Sequence, residues 1–255
     1  ALYPAGLWHL VHNPTNENEI FVAADSQGVF KTNDGGTIWT AKNNGFQDVF
    51  NFTAFIIDPN NPAILFVDTY DGTTGGLFKS TNSGDTWTLI PFFNNSYVDT
   101  VAIDKNNSKI IYATKNSDNT VAKSIDGGTS WSTILTNTTG FTGVSIDPNN
   151  SSVIYVNFGN TINKSLDGGT TWMVYTSGLR TITTSTAVTI DPTNSLNLYV
   201  GTNQGGVYHS SNGGISWSAR NAGLTDFRIN ALKFDPNAPL LYAGTFVAGL
   251  FSLIP

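Results

Sequence analysis

Breaking a glycosidic or acyl bond takes acids that converge on one point, so the carboxylates of this chain come first. Its 255 residues hold sixteen Asp and two Glu, with three Arg, three His and no Cys. Without Cys there is no disulfide, no thiolate metal site and no cysteine nucleophile. His9 and His12 lie three apart on a stretch that reads as a strand, so they face opposite sides and make no ligand pair. The sequence has no GxxxxGK[ST] phosphate loop. No metal and no other cofactor is expected. Eight Asp recur at fixed spacing: Asp34, Asp126 and Asp167 in one string, and Asp58, Asp104, Asp147, Asp191 and Asp235 in another. Glu17 and Glu19 read as part of the first turn. The remaining acids are Asp25, Asp48, Asp68, Asp71, Asp85, Asp99, Asp118 and Asp226.

The two strings describe the scaffold. One reads TNDGGTIW, STNSGDTW, SIDGGTSW, SLDGGTTW and SSNGGISW, ending on Trp39, Trp87, Trp131, Trp172 and Trp217 in steps of 48, 44, 41 and 45 residues. The other reads VHNP, IIDP, AIDK, SIDP, TIDP and KFDP, with steps of 45, 46, 43, 44 and 44 residues between its third positions. Between these markers, short apolar or alternating runs are divided by Pro, Asn and Gly, the pattern of strands and turns. Four strands in a repeat of this length form a propeller blade. The expected fold is therefore all-β: a single six-bladed β-propeller over 1–255, with four-stranded antiparallel blades at about 7–46, 52–92, 98–138, 142–178, 185–223 and 229–255. The last blade stops where its box string would begin, so it is expected to be incomplete, with three strands or with Leu2–Leu7 patching its edge. In each box the Asp should accept backbone N–H groups, the glycines should supply positive φ, and the Trp should pack between sheets. The second box shifts its acid (Asn82, Asp85) and the fifth has Asn212, which suits a turn stabiliser better than a catalyst.

These strings resemble the Asp-box (BNR) repeat, S-x-D-x-G-x-T-W. It occurs in sialidases, in two-propeller xyloglucan-active glycoside hydrolases, in sortilin-like receptors and in photosystem assembly factors. The resemblance specifies a propeller and leaves its activity open. Sialidase chemistry would need an arginine triad and a Tyr/Glu pair. Only Arg180, Arg220 and Arg228 are present, with no R-I-P string. The stretch FVAADSQGVFKT at 21–32 is similar to the first blade of the xyloglucan-active hydrolases, where the matching Asp is catalytic. That resemblance makes Asp25 a candidate acid. It implies a second acid on a facing propeller, for which this chain offers only Asp71 or Asp226 as substitutes.

The loops expected to form the ligand face hold Asp25, Asp48, Asp68, Asp71, Asp99, Asp118, Asp226 and Arg228, with Tyr70, Phe92, Phe93, Tyr97, Phe141, Phe158, Phe227 and Phe246. Aromatics beside carboxylates suit a sugar surface, and they also suit packing between blades. The binding candidates are Asp25, Tyr70, Asp71, Phe92, Tyr97, Phe227 and Arg228. A net charge of −6 without a basic cluster argues against nucleic acid and against anionic membranes. No apolar run is long enough to span a membrane as a helix. Low charge with abundant Asn, Thr and Ser suggests a secreted or cell-surface protein. Because no catalytic set converges, the expectation is a non-enzymatic binding or structural propeller engaging a glycan, a protein or a second copy of itself. The alternatives are a xyloglucanase-like glycoside hydrolase fragment and a subunit of a surface filament or layer.

Overall fold

A computed structural model describes residues 7–46, 51–72, 74–159, 161–179, 186–235, 238 and 240–253. The chain divides into two compact units, Ala1–Gly140 and Phe141–Pro255. The fold is all-β, with six antiparallel sheets that are the blades of a six-bladed β-propeller.

The first unit holds three four-stranded meanders. They are β1 (Leu7–Asn13), β2 (Asn16–Ala24), β3 (Gly28–Thr32) and β4 (Thr40–Ala41); β5 (Phe52–Ile57), β6 (Leu65–Tyr70), β7 (Gly75–Ser80) and β8 (Thr88–Leu89); and β9 (Val101–Ile103), β10 (Ile111–Lys115), β11 (Thr120–Ser124) and β12 (Ser132–Thr136). A single 3₁₀ turn, Pro91–Phe93, follows β8. The second unit continues with β13 (Gly143–Asp147), β14 (Asn150–Phe158), β15 (Thr161–Ser165) and β16 (Met173–Tyr175); β17 (Thr189–Ile190), β18 (Leu198–Gly201), β19 (Val207–Ser210) and β20 (Ser218–Ala219); and β21 (Ile229–Phe234), β22 (Leu241–Thr245) and β23 (Leu250–Leu253). Among the described residues the last sheet has three strands. Residues 1–6, the proposed edge patch, lie outside the described residues.

Within each unit, one sheet's apolar face is hidden by the next. Val29, Phe52, Phe55, Phe78 and Trp87 close the gap between the first and second sheets. Phe66, Leu77, Val98, Val101 and Ile111 fill the next gap. In the second unit, Ile162, Val188, Ile190 and Leu198 form one such layer, and Val207, Leu224, Ile229 and Leu241 another. Third-strand positions Val29, Leu77, Val121, Ile162 and Val207 are all 0% exposed. Burial of each contributes about 1.5–3 kcal/mol. The lysine before a box completes the layer. Lys31, Lys79, Lys123 and Lys164 each lie about 5–6 Å over the aromatic ring opposite, of Phe21, Phe66, Tyr112 and Tyr155 respectively. In the fifth sheet His209 stacks on Tyr199 in the same register. Lys79 also donates to the Gly127 carbonyl at 2.7 Å and Lys164 to that of Gly213 at 2.8 Å, so each reaches the following box.

The box turns are closed by their own side chains. The Ser124 hydroxyl donates to Asp126 and accepts the Gly128 N–H, while Asp126 Oδ1 accepts the N–H groups of Thr129 and Ser130. Ser165 and Asp167 repeat this pattern. The Ser130 and Thr171 hydroxyls, donating to the Oδ2 atoms of Asp126 and Asp167, act first, and the other bonds add to them, to hold both carboxyls down at about 2. In the second box the acid has not moved. Asn82 Oδ1 accepts the Ser80 hydroxyl and the Thr86 N–H, and Asp85 instead pairs with Lys42. Asn212 performs the same task in the fifth box.

Only two of the box tryptophans are deeply buried, Trp87 at 3% and Trp217 at 5% exposure, whereas Trp39, Trp131 and Trp172 are half-buried. The expectation that every box Trp packs between sheets is corrected accordingly. The buried pair sit under the exit loop of the preceding sheet: Trp87 N–H donates to the Asn44 carbonyl and Trp217 N–H to that of Ser177. Gly45 and Gly178 allow this approach, because a Cβ there would lie 2.0 Å from the Trp87 oxygen and 1.9 Å from the Trp217 oxygen.

Gly178→Ala should therefore destabilise the protein by about 3 kcal/mol, read from the urea midpoint. Asp126→Asn should leave that midpoint nearly unchanged at pH 7, because Asn82 and Asn212 already fill this role. Asp126→Ala should lower it. The wild-type carboxylate's contribution is present above the ordinary carboxyl value and lost as pH falls through about 2, so the gap between Ala and wild type should close in strong acid.

Candidate functional site

Antiparallel topology places the box turns at one end of the third strand of a sheet and the loop from second to third strand at the other. Asp25 sits on that second loop in the first sheet. The turn is clamped from beneath by Asn43, whose Oδ1 accepts the Val29 N–H at 2.8 Å and whose Nδ2 donates to the Gln27 carbonyl at 3.1 Å. Gly28 has φ +99°, and a Cβ there would collide with the Asn43 side chain at 2.3 Å. Ser26 is held at φ 57°, a strained conformation for a residue with a Cβ. Asp25 is half-buried, and its carboxylate has one long contact, from the Ser26 hydroxyl at 3.4 Å. A rigid turn thus presents a carboxylate that is not consumed by the scaffold.

Asp25, Tyr70 and Asn116 share one register position, five residues past the strand position paired with the first box residue in the first, second and third sheets. Tyr70 lies edge-on to Tyr97, with ring centroids 6.1 Å apart. The Tyr97 hydroxyl bonds to Asp99, and Asn116 Nδ2 donates to Asp99 Oδ2 at 2.7 Å. Burial raises the Asp99 carboxyl above its ordinary value despite these two bonds. Burial first, and then the bond to Asp99, raise the Tyr97 phenol. Half-buried aromatic edges beside a carboxylate and an amide can meet the C–H face and the hydroxyls of a sugar.

The loop carrying Tyr97 is fixed at each amide by a side chain. Ser117 accepts the Tyr97 N–H at 2.9 Å, Asp68 accepts that of Val98 at 3.1 Å, and Thr114 accepts those of Asp99 and Thr100, both at 3.1 Å. Asp68 was expected to be a solvated loop residue. It stands inside β6 at 0% exposure, and its carboxyl is pushed up to about 7, chiefly by burial. Asp68 and Asp99 are the acids that sequence reasoning undervalued. The available signal was a charge within the apolar run LFVDTY.

The other candidates separate. Asp71 is exposed and caps its own turn, accepting the Thr74 N–H at 2.7 Å and its hydroxyl at 3.2 Å. Phe92 packs on Phe93 with Lys115 over its ring, a scaffold contact. Phe93 and Phe141 are fully buried. Asp118 pairs with Lys115. In the second unit, Asp226 accepts the Arg228 N–H and Nε through one oxygen and the Val247 N–H through the other. These bonds hold its carboxyl below the ordinary value, the wrong state for a proton donor. Arg228 lies 4.6 Å over the Phe246 ring, and Phe227 and Phe246 are 45% and 63% exposed. Asp48 and Arg180 lie outside the described residues. Among the described residues, no group of three or more His, Cys, Asp or Glu could hold a metal ion, and no helix is long and apolar enough to cross a membrane.

No family model matches the chain. It is 26% identical over 229 residues to the xyloglucanase Xgh74A of Acetivibrio thermocellus, a match covering 82% of this chain and 25% of that protein. It is 27% identical over 163 residues to a xyloglucanase of Hypocrea jecorina, covering 56% of this chain and 19% of that protein. The chain thus spans a quarter or less of the length of these relatives. Among solved structures, an ancestral GH74 enzyme superposes with a TM-score of 0.81 at 22% identity, over 99% of this chain and 37% of that one. A GH74 enzyme of Niastella koreensis gives 0.75 at 21% identity, over 96% of this chain and 42% of that one. The structural likeness establishes the propeller fold. The sequence relatives are enzymes, and they overturn the expectation of a non-enzymatic binding or structural module in favour of the glycoside-hydrolase alternative.

Removing the Asp226 carboxylate should release the two loops it joins. In Asp226→Ala, limited trypsin digestion should cut after Arg228 at least several-fold faster than in wild type, monitored by mass spectrometry.

Proposed function

We propose that this chain is the Asp-box propeller portion of a glycoside hydrolase acting on xyloglucan or a closely related β-glucan. The observation that carries this reading is the match to a xyloglucanase across 82% of the chain. The Asp25 turn supports it, being rigid, locally strained and tipped with a half-buried carboxylate. Glycoside hydrolysis pairs one carboxylate that activates water or attacks the anomeric carbon with another that protonates the departing oxygen. Asp25 supplies one of the two. The second comes from outside this chain, as the resemblance to two-propeller hydrolases implies, since Asp71 caps a turn and Asp226 is held ionised. Tyr70 and Tyr97 provide the surface on which a sugar ring stacks, with Asp99 and Asn116 beside them. A polysaccharide substrate places the protein outside the cell, secreted or at its surface.

Reducing-end release from xyloglucan, measured on this propeller joined to the one that supplies the second acid, tests this directly. Asp25→Asn should lower the rate by about 10²- to 10⁴-fold. An unchanged rate would remove Asp25 from the mechanism, and no release from any β-glucan by the joined protein would sink the hydrolase reading. In affinity electrophoresis on xyloglucan, Tyr70→Ala and Tyr97→Ala should each weaken retention roughly tenfold.

A further inference from the structure

Three second strands carry a polar residue at one register position, three past the residue paired with the box Ser: Asp68 on β6, Thr114 on β10 and Asn157 on β14. All three are 0% exposed. Each ties its own sheet to a loop that enters an inner strand. Asn157 Nδ2 donates to the Thr142 hydroxyl at 2.7 Å and to the Thr186 carbonyl at 2.9 Å. Thr114 accepts two amides through one hydroxyl. Asp68 Oδ2 accepts the Thr53 hydroxyl at 2.5 Å and the Val98 N–H at 3.1 Å. The tie can therefore be made by neutral side chains, and at position 68 the chain uses an acid. Asp68 Oδ1 is buried and has no hydrogen-bond partner among the described residues. A buried carboxylate with an unmet oxygen is costly, and its neutral form is far less so.

Among the described residues, no cation offsets the burial of Asp68. From the 96–100 loop, Asp99 and the Tyr97 phenol face Asp68, and the field of Asp99 adds to the burial that keeps a proton on it. On β7 the residue opposite is Leu77. On the β5 side Thr53 stands against it, and the His9 imidazole bonds to the Thr53 backbone, its own pKa lowered by burial.

We propose that Asp68 is a positioning residue for the Tyr70–Tyr97–Asp99 site: as a neutral carboxyl it fastens the Tyr97 loop, and as a carboxylate beside Asp99 it favours release of that loop. This rests on the reading of those residues as the sugar surface. The acid lets the site hold its shape most firmly below about pH 4 and gives up that advantage progressively as pH rises to about 7. Any opening that lets water reach Asp68 also lets it ionise at its ordinary value of 3.8, whereas in the closed site it ionises at about 7. The closed form's advantage is therefore complete below about 4 and shrinks as pH rises through 7.

Amide hydrogen exchange at Val98 reads this without reference to catalysis. In wild type the protection factor should fall by up to about tenfold per pH unit between roughly 4 and 7, then level off. In Asp68→Asn, with the same shape and no charge, it should stay flat. Asp68→Ala, which removes the acceptor of both Thr53 and Val98, should lose protection at every pH. An identical slope in wild type and Asp68→Asn, or a flat wild-type profile, would overturn the proposal. Should Asp68→Asn fail to fold, a ¹³C carboxyl titration of the wild type decides: a midpoint for Asp68 near 7 supports the proposal, and one near 3.8 refutes it. Xyloglucan retention measured across the same range should weaken between about pH 4 and 7 in wild type alone and change little above 7. Absence of retention at every pH would count against the hydrolase reading and leave the exchange result standing.

Discussion

A sheet of four short strands has two faces and can hide neither by itself. Everything in this protein follows from how the second face is covered. Within each unit the answer is the next sheet, and the contact is built the same way each time: an apolar third-strand residue at 0% exposure lies under the entry to the following inner strand. Hydrogen bonds then fix the register of sheet on sheet. Ser108 donates to Asp58 at 2.6 Å and Ser195 to Asp147 at 2.8 Å, so the recurrent inner-strand acid reaches into the neighbouring repeat as well as closing its own turn. Lys79 and Lys164 do likewise from the third strand. A repeat is thus incomplete alone and completed by its neighbour.

Much of this was legible in the sequence because it recurs. Six inner-strand markers locate six sheets, and five boxes locate the turns after the third strands of the first five. The role of the box Asp could be read from its turn, since carboxylate, hydroxyl and glycines lie within eight residues of each other. The lysine one residue before four of the boxes was equally regular, yet its task was hidden. Each stacks on a ring of the neighbouring strand, and Lys79 and Lys164 also donate to a carbonyl in the next repeat, more than forty residues away. Asp85 shows the opposite failure. Its place inside a box made it look like a displaced box acid, but Asn82 fills that position and Asp85 pairs with a lysine of the previous sheet.

The site was legible only in part, because its chemistry does not repeat. Asp25 stood out through a twelve-residue likeness, and the structure adds why the position suits a reactive group: the clamp by Asn43 and the strained Ser26 hold the turn without consuming the carboxylate. Asp68 was filed among loop acids because strand limits blur at their ends. Its importance lies in a comparison of equivalent positions, where Thr114 and Asn157 make similar ties without a charge. Tyr97 and Asp99 acquire meaning through Asn116, about twenty residues on, which the register of β10 brings beside them. The non-enzymatic reading failed for a related reason. It treated the lack of a complete acid pair in one propeller as the lack of chemistry, while the xyloglucanases it matches are covered by this chain to a quarter or less of their length.

The third strands of the first five sheets are each anchored at one end by a box turn closed by its own side chains, and each carries at the other end a loop to the second strand. Substitutions at the loop end are thereby insulated from the turns that fix register. Selection can rewrite the residue at the position of Asp25, Tyr70 and Asn116 one repeat at a time, and the same slot has already become Gly159, Asn203 and Phe246 elsewhere in the chain. Duplication of one stable unit followed by independent drift of its free ends is a short path from a plain scaffold to repeats with unlike tips. The uneven chemistry of those tips, set against the uniformity of the boxes, is the trace such a history would leave.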